Sequence, residues 1–298
     1  MLKTSAVAEP RRLTLHAGDG VPLAVDARGD ARDPALVFAH GFGQTRHAWN
    51  ATTAALAEAG WRCLTMDARG HGDSGWRGDG HYDFSQFVDD LVRLARVPEQ
   101  KPILVGASMG GLLGLVAQAE HAVFRALVLV DITPRWEAAG VERVLTFMRA
   151  HPQGFANVEE ASAAIANYLP QRAQRYRRDP GRPERLRRLL VSDANGRLRW
   201  HWDPRLLDTI ATGSERQQSR LLDAARRIHV PTLLVSGERS DVVSDDTIAE
   251  FLRCVPHAQH VCVSRATHMI AGDDNAAFTA AVARFVAPLR TNRIEDRP

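Results

Sequence analysis

Cysteine is scarce in this 298-residue chain: Cys63, Cys254 and Cys262 form an odd set without metal-ligand spacing. Each sits beside apolar residues, so buried free thiols in a reducing compartment are expected, and no metal site. No stretch approaches the roughly 18 apolar residues of a membrane-spanning helix. The longest apolar runs, such as residues 126–130, have strand length. There is no basic tail and no run of five like charges, and a formal charge of +3 is too small to argue for nucleic acid. Residues 1–12 hold one lysine before Pro10 and no apolar segment, so no secretory leader is expected. A cytoplasmic protein with no membrane partner follows. Internal repeats and low-complexity tracts are absent from the sequence.

What is present is ordinary for a globular protein: 45% apolar and 24% charged residues. The length suits one α/β domain with room for an inserted subdomain. Residues 13–16 and 22–27 read as a hairpin around the Gly18-Asp19-Gly20 turn signal. Short apolar runs at 35–39, 61–66, 103–106 and 126–131 read as buried strands. Between them, residues 52–59, 84–95 and 109–119 read as helices, the second from its apolar spacing. Buried strands alternating with helices imply a mostly parallel sheet covered on both faces. The pattern stops at Pro134, where helical segments without a convincing strand run to about Val230. It resumes with strands at 232–236 and 260–263 and helices near 245–253 and 275–288. The expected organisation is a core of 1–133 and 231–298 interrupted by a helical insert, 134–230. That insert carries 18 Arg, no Lys and 11 Asp or Glu, a net of +7 that leaves −4 on the rest.

The sharpest signal is Gly106-Ala107-Ser108-Met109-Gly110-Gly111, directly after a buried strand and before a helix. A serine on a tight, strained turn projects its Oγ above a sheet, and glycines two residues either side leave room for the crossing backbone. The helix N-terminus behind it offers N–H groups to a developing oxyanion. A serine hydroxyl needs a positioned base, and His268, just beyond the strand 260–263, reaches the same sheet edge. The base in turn needs an orienting carboxylate. Asp241, in the loop after the strand 232–236, is the first candidate; Asp131, at the end of the strand 126–131, is the alternative. Two oxyanion donors are expected, the backbone N–H groups of Met109 and of Phe42 in His40-Gly41-Phe42-Gly43-Gln44. The loop 67–74, Gly-rich but without phosphate-loop spacing, reads as structural, pinned by Asp67, Arg69 and His71.

Together with Gly237…Asp241 and Ala266-Thr267-His268-Met269, these segments occur in an order that resembles the capped α/β-hydrolase superfamily across residues 13–289. The resemblance implies an α/β-hydrolase fold with an eight-stranded, mostly parallel sheet, helices on both faces and a helical cap inserted after the sixth strand. It carries nucleophile, acid and base onto Ser108, Asp241 and His268, and the oxyanion donors onto Phe42 and Met109. Val130-Asp131-Ile132-Thr133-Pro134 is similar to a subset of bacterial members, and Leu198-Arg199-Trp200-His201-Trp202-Asp203-Pro204 resembles a cap segment of uncharacterised hydrolases. Serine at the elbow, where related dehalogenases and epoxide hydrolases carry aspartate, argues against both of those.

The function expected is hydrolysis of a carboxylic ester, thioester or lactone of a small to medium apolar substrate through an acyl-enzyme, without cofactor or metal. The partner is a small ester-like molecule, and the chain a monomer or homodimer. Alternatives on the same triad are perhydrolase, haloperoxidase-type or C–C bond hydrolase chemistry; the non-enzyme alternative is a ligand-binding receptor. Trp136, Trp200, Trp202, Val243 and Met269 are the candidate pocket residues, although the tryptophans would serve equally to pack the insert on the sheet. The clustered arginines 177, 178, 182, 185, 187 and 188 read as a solvated face.

Overall fold

Strand β3 (Ala35–Ala39) is buried along its whole length, and its side chains divide by parity. Val37 and Ala39 join one apolar cluster, Leu36 and Phe38 another. The same split runs through β5 (Ile103–Ala107) and β6 (Ala126–Val130): Leu104, Leu127 and Leu129 face the first cluster, Ile103, Val105, Val128 and Val130 the second. A pleated strand sends successive side chains to opposite faces, so an unbroken apolar run suits a strand covered on both sides. Fully burying each Val or Leu contributes ~1.5–3 kcal/mol.

The computed structural model describes residues 9–168, 186–207, 214–268, 270 and 275–290. In it these strands lie near the centre of an eight-stranded sheet. The others are β1 (Arg11–His16), β2 (Pro22–Arg28), β4 (Arg62–Met66), β9 (Thr232–Gly237) and β10 (Gln259–Val263), in the order β1-β2-β4-β3-β5-β6-β9-β10. The pairs β1–β2 and β2–β4 are antiparallel, the remaining five parallel. The mostly parallel, eight-stranded sheet expected from the sequence is therefore present. Helices α1 (Asn50–Glu58) and α8 (Asn275–Val286) cover one face, where Leu56, Phe278 and Val282 meet Trp49. Helices α2 (Phe84–Ala95), α3 (Met109–His121), α6 (Ser214–Arg226) and α7 (Asp245–Cys254) cover the other. None of the described helices is long and apolar enough to cross a membrane.

Between β6 and β9 the chain supplies α4 (Ala138–Arg149), α5 (Val158–Tyr168), a two-stranded antiparallel ribbon of β7 (Leu190–Ser192) and β8 (Leu198–Trp200), and then α6. The ribbon corrects the purely helical expectation for this stretch. Its strands are three residues each, too short to show a period of two, and its turn is built by Asp193. That carboxylate accepts the N–H groups of Asn195 and Arg197, while Gly196 takes φ 75°.

The cysteines also depart from expectation. Cys63 is buried, and burial pushes its thiol up to about 12, but Cys254 is half-buried and Cys262 exposed. Cys262 lies on β10, a sheet edge whose residues 259–262 face solvent. Loop 67–74 is pinned as expected. Asp67 is fully buried and accepts the Arg46 and Asp73 N–H groups and the Arg46 guanidinium. Arg69 forks onto Asp90 and reaches Asp19.

Candidate active site

Ser108 follows β5 at φ 47°, ψ −118°, a backbone region that costs a non-glycine residue ~1–3 kcal/mol. Two contacts make the turn this tight. A Cβ on Gly110 would stand 2.3 Å from the Ala39 carbonyl oxygen, and one on Gly106 2.7 Å from that of Gly110. Glycine at both positions lets α3 start directly against β3 and β5. The Ser108 N–H still donates to Val130 of β6, at 3.1 Å, so the elbow is locked to the sheet while its side chain is turned out of it. Gly41 approaches from β3, where a Cβ would lie 3.2 Å from that of Ser108.

Asp131, the residue after β6, is fully buried and also left-handed, φ 50°. Its N–H donates to Val235 of β9 at 2.7 Å. The carboxylate meets three donors: Gly237 N–H on Oδ1 at 2.8 Å, and Ser240 Oγ and His268 Nδ1 on Oδ2 at 2.5 and 2.7 Å. A buried anion is tolerable when its lone pairs are filled in this way. His268 arrives from beyond β10 by crossing the end of β9. There a Cβ on Gly237 would meet the carbonyl oxygens of Ala266 and Thr267 at 2.6 and 2.7 Å. With Nδ1 engaged by the carboxylate, Nε2 is the ring nitrogen left for chemistry.

The structure thus pairs His268 with Asp131, the alternative carboxylate, and not with Asp241, the first candidate for the acid. Asp241 forms an ion pair with Arg143 of α4, in a loop held beneath that helix: Glu137 N–H donates to the Val242 carbonyl at 2.9 Å. A Cβ on Gly140 would stand 2.1 Å from the Asp241 carbonyl oxygen. The Asp241 loop braces the insert and leaves the imidazole to the neighbouring strand.

Phe42 and Met109 are half-buried beside Ser108, and neither N–H finds an acceptor among the described residues. Carbonyls around Phe42 are held. His40 Nδ1 donates to the Gly41 oxygen at 2.8 Å, and Gln44 N–H to the same oxygen at 3.1 Å. His40 is buried, and its Nε2 accepts the Ala68 N–H at 2.9 Å. Burial holds its pKa below the usual imidazole range.

A cavity of about 1350 Å³ opens on Ser108 and His268. Trp136, Trp200, Trp202 and Phe147 line it; Trp202 also packs across to Phe42 of the core, whereas Trp200 packs on Phe147 and Phe155 within the insert. Val243 does not reach it. That side chain is in the core, and Val242 lines the cavity instead. Met269 lies outside the described residues, as do arginines 177, 178, 182 and 185; Arg187 and Arg188 are exposed. Sequence reasoning passed over Gly237 and Ser240 as groups around the acid. Their signal was only the short spacing after a buried strand.

A family profile described as "alpha/beta hydrolase fold" matches residues 34–274. The chain is 29% identical over 260 residues to 3-hydroxybutyrate-oligomer hydrolase of Cupriavidus necator, covering 80% of this chain and 84% of that protein. It is 30% identical over 268 residues to the sn-1-specific diacylglycerol lipase of Mus musculus, covering 87% and 83%. Among solved structures, an E-2-(acetamidomethylene)succinate hydrolase superposes with TM-score 0.79 at 25% identity, over 93% of this chain and 99% of that one.

Proposed function

Since this chain belongs to the α/β-hydrolase family and is a hydrolase, we propose that it cleaves a carboxylic ester, thioester or lactone of a small to medium, largely apolar substrate through an acyl-enzyme. One observation carries the reading: a serine on a strained turn shares a cavity with a histidine whose other ring nitrogen is held by a buried carboxylate.

In this reading Ser108 Oγ attacks the substrate carbonyl as His268 Nε2 takes its proton. Asp131 fixes the tautomer and stabilises the imidazolium that forms. The N–H groups of Phe42 and Met109, the latter at the first turn of α3, receive the negative charge on the carbonyl oxygen. His268 returns the proton to the leaving oxygen. It then deprotonates the water that releases the acid and restores Ser108. The insert supplies the tryptophans that set the apolar character of the cavity. By their names the relatives act on 3-hydroxybutyrate oligomers and on diacylglycerol, and a lipase among them is consistent with an ester here.

The test is hydrolysis of p-nitrophenyl esters of increasing acyl length, wild type against Ser108→Ala, with fluorophosphonate labelling of intact protein. Turnover and labelling that both vanish in the variant are expected. Wild-type protein that is folded yet neither hydrolyses any of these esters nor takes the label would refute the proposal.

A further inference from the structure

In the segment 198–204 of the insert, distinctive in sequence, the chemistry above uses only the two tryptophans, as cavity lining. Three of its residues grip the two core loops beneath it. Asp203 N–H donates to the Gly70 carbonyl at 2.8 Å, and its buried carboxylate accepts the Tyr82 hydroxyl at 2.7 Å. Trp202 packs its ring against Phe42, centroids 5.4 Å apart. His201 lies between them, 2% exposed. Its Nδ1 receives the Gly72 N–H at 2.8 Å, so Nδ1 carries no proton. The proton therefore sits on Nε2, which lies 3.2 Å from the Gly43 carbonyl oxygen and donates to it. A backbone donor in one core loop thus sets the tautomer that bonds the other.

Gly43 immediately follows Phe42 and takes φ 73°. On the other side of Phe42 the Gly41 carbonyl is held by His40 and Gln44 from within the core. The Gly43 carbonyl has only His201, from the insert, among the described residues. The Gly41–Phe42 peptide, which carries the Phe42 N–H, is thus held through its own carbonyl from within the core. Two peptides on, the Gly43–Gln44 unit returns its N–H to Gly41 and has its carbonyl tied to the insert by His201, so the short loop around Phe42 is closed at one end by the core and at the other by core and insert together.

We propose that His201 is a positioning residue for the oxyanion-binding loop. It fixes the Gly43 carbonyl and so aims the Phe42 N–H at the charge that develops on the substrate oxygen. This rests on the hydrolase reading above. A hydrogen-bond donor is effective there only if it is placed before the charge appears.

Two variants of similar length separate donor from packing. His201→Gln keeps an N–H within reach of Gly43; His201→Met fills the space without one. With a p-nitrophenyl ester, kcat of His201→Met is expected to fall about 10- to 100-fold with KM within about threefold. Affinity for an alkyl boronic acid should fall in step, because that inhibitor mimics the tetrahedral adduct. His201→Gln should recover most of both. Where His201→Met does not fold, His201→Asn replaces it, since the shorter amide accepts from Gly72 without reaching Gly43. A folded donor-less variant with kcat within twofold of wild type, or one matched by His201→Gln, would overturn the inference and leave the hydrolase reading standing. Wild-type protein lacking Ser108-dependent turnover and labelling would overturn both.

Discussion

His268 Nδ1 lies 2.7 Å from Asp131 Oδ2, on a carboxylate that is fully buried at the end of the strand next to the one bearing Ser108. The imidazole and the carboxylate are thereby referenced to the sheet, whose register places Ala107 opposite Val130.

This pairing separates the two aspartates by experiment. Asp131→Asn is expected to lower kcat ~10³- to 10⁴-fold, through loss of the charge that favours the reactive tautomer. Asp241→Asn removes the partner of Arg143 and should change kcat less than about tenfold. Steady-state kinetics of both variants with one ester checks this; the reverse ranking would return the acid to the Asp241 loop.

Ser108 holds a conformation suited to glycine. Ser108→Gly should abolish turnover yet melt no lower than wild type, gaining up to ~2 kcal/mol from relief of the turn, net of the added freedom of the unfolded chain. Denaturant unfolding of the two proteins side by side measures it.

Gly237 is crossed by the backbone that delivers His268. Gly237→Ala places a methyl group against two carbonyl oxygens that belong to main chain. The loop has to shift, which should cost ~1–3 kcal/mol of stability and lower kcat about 10- to 100-fold by misplacing the imidazole. An unchanged kcat would mean that the crossing tolerates a wider path.

Acid sensitivity follows from the imidazoles packed behind the oxyanion loop. His40 and His71 are held below the usual range chiefly by burial, and burial brings His201 to about 4. A histidine whose folded pKa is depressed binds fewer protons folded than unfolded. Its contribution is therefore fully present above about pH 6.5 and lost as pH falls toward 4, up to ~3 kcal/mol for His201. Urea midpoints measured across this window should fall with pH, and less steeply in His201→Gln.

How much of this was legible in the sequence depends on how local each feature is. The Ser108 elbow is written in six consecutive residues, and the strands around it in short apolar runs. His268 follows from its place after the last strand. The choice between Asp131 and Asp241 is not local. Both follow strands that end at the same sheet edge, and the decision rests on a crossing over Gly237 and on Ser240 turning its hydroxyl toward Asp131. Val243 was misassigned for a related reason, since no period in a loop tells which of two adjacent valines faces a cavity. The ribbon β7–β8 is too short to declare itself.

The three donors to Asp131 come from Gly237, Ser240 and His268, all outside the stretch between β6 and α6, whereas the Gly43 carbonyl is bonded from within it. The two halves of the proposed chemistry thus have different inheritances. A foreign insert transplanted onto this sheet would find the proton-handling pair already complete. It would have to bring its own counterpart of His201 to steady the site of negative charge. Diversification of what such a protein accepts can therefore proceed by exchange of the insert, on condition that one imidazole, or something able to do its work, travels with it.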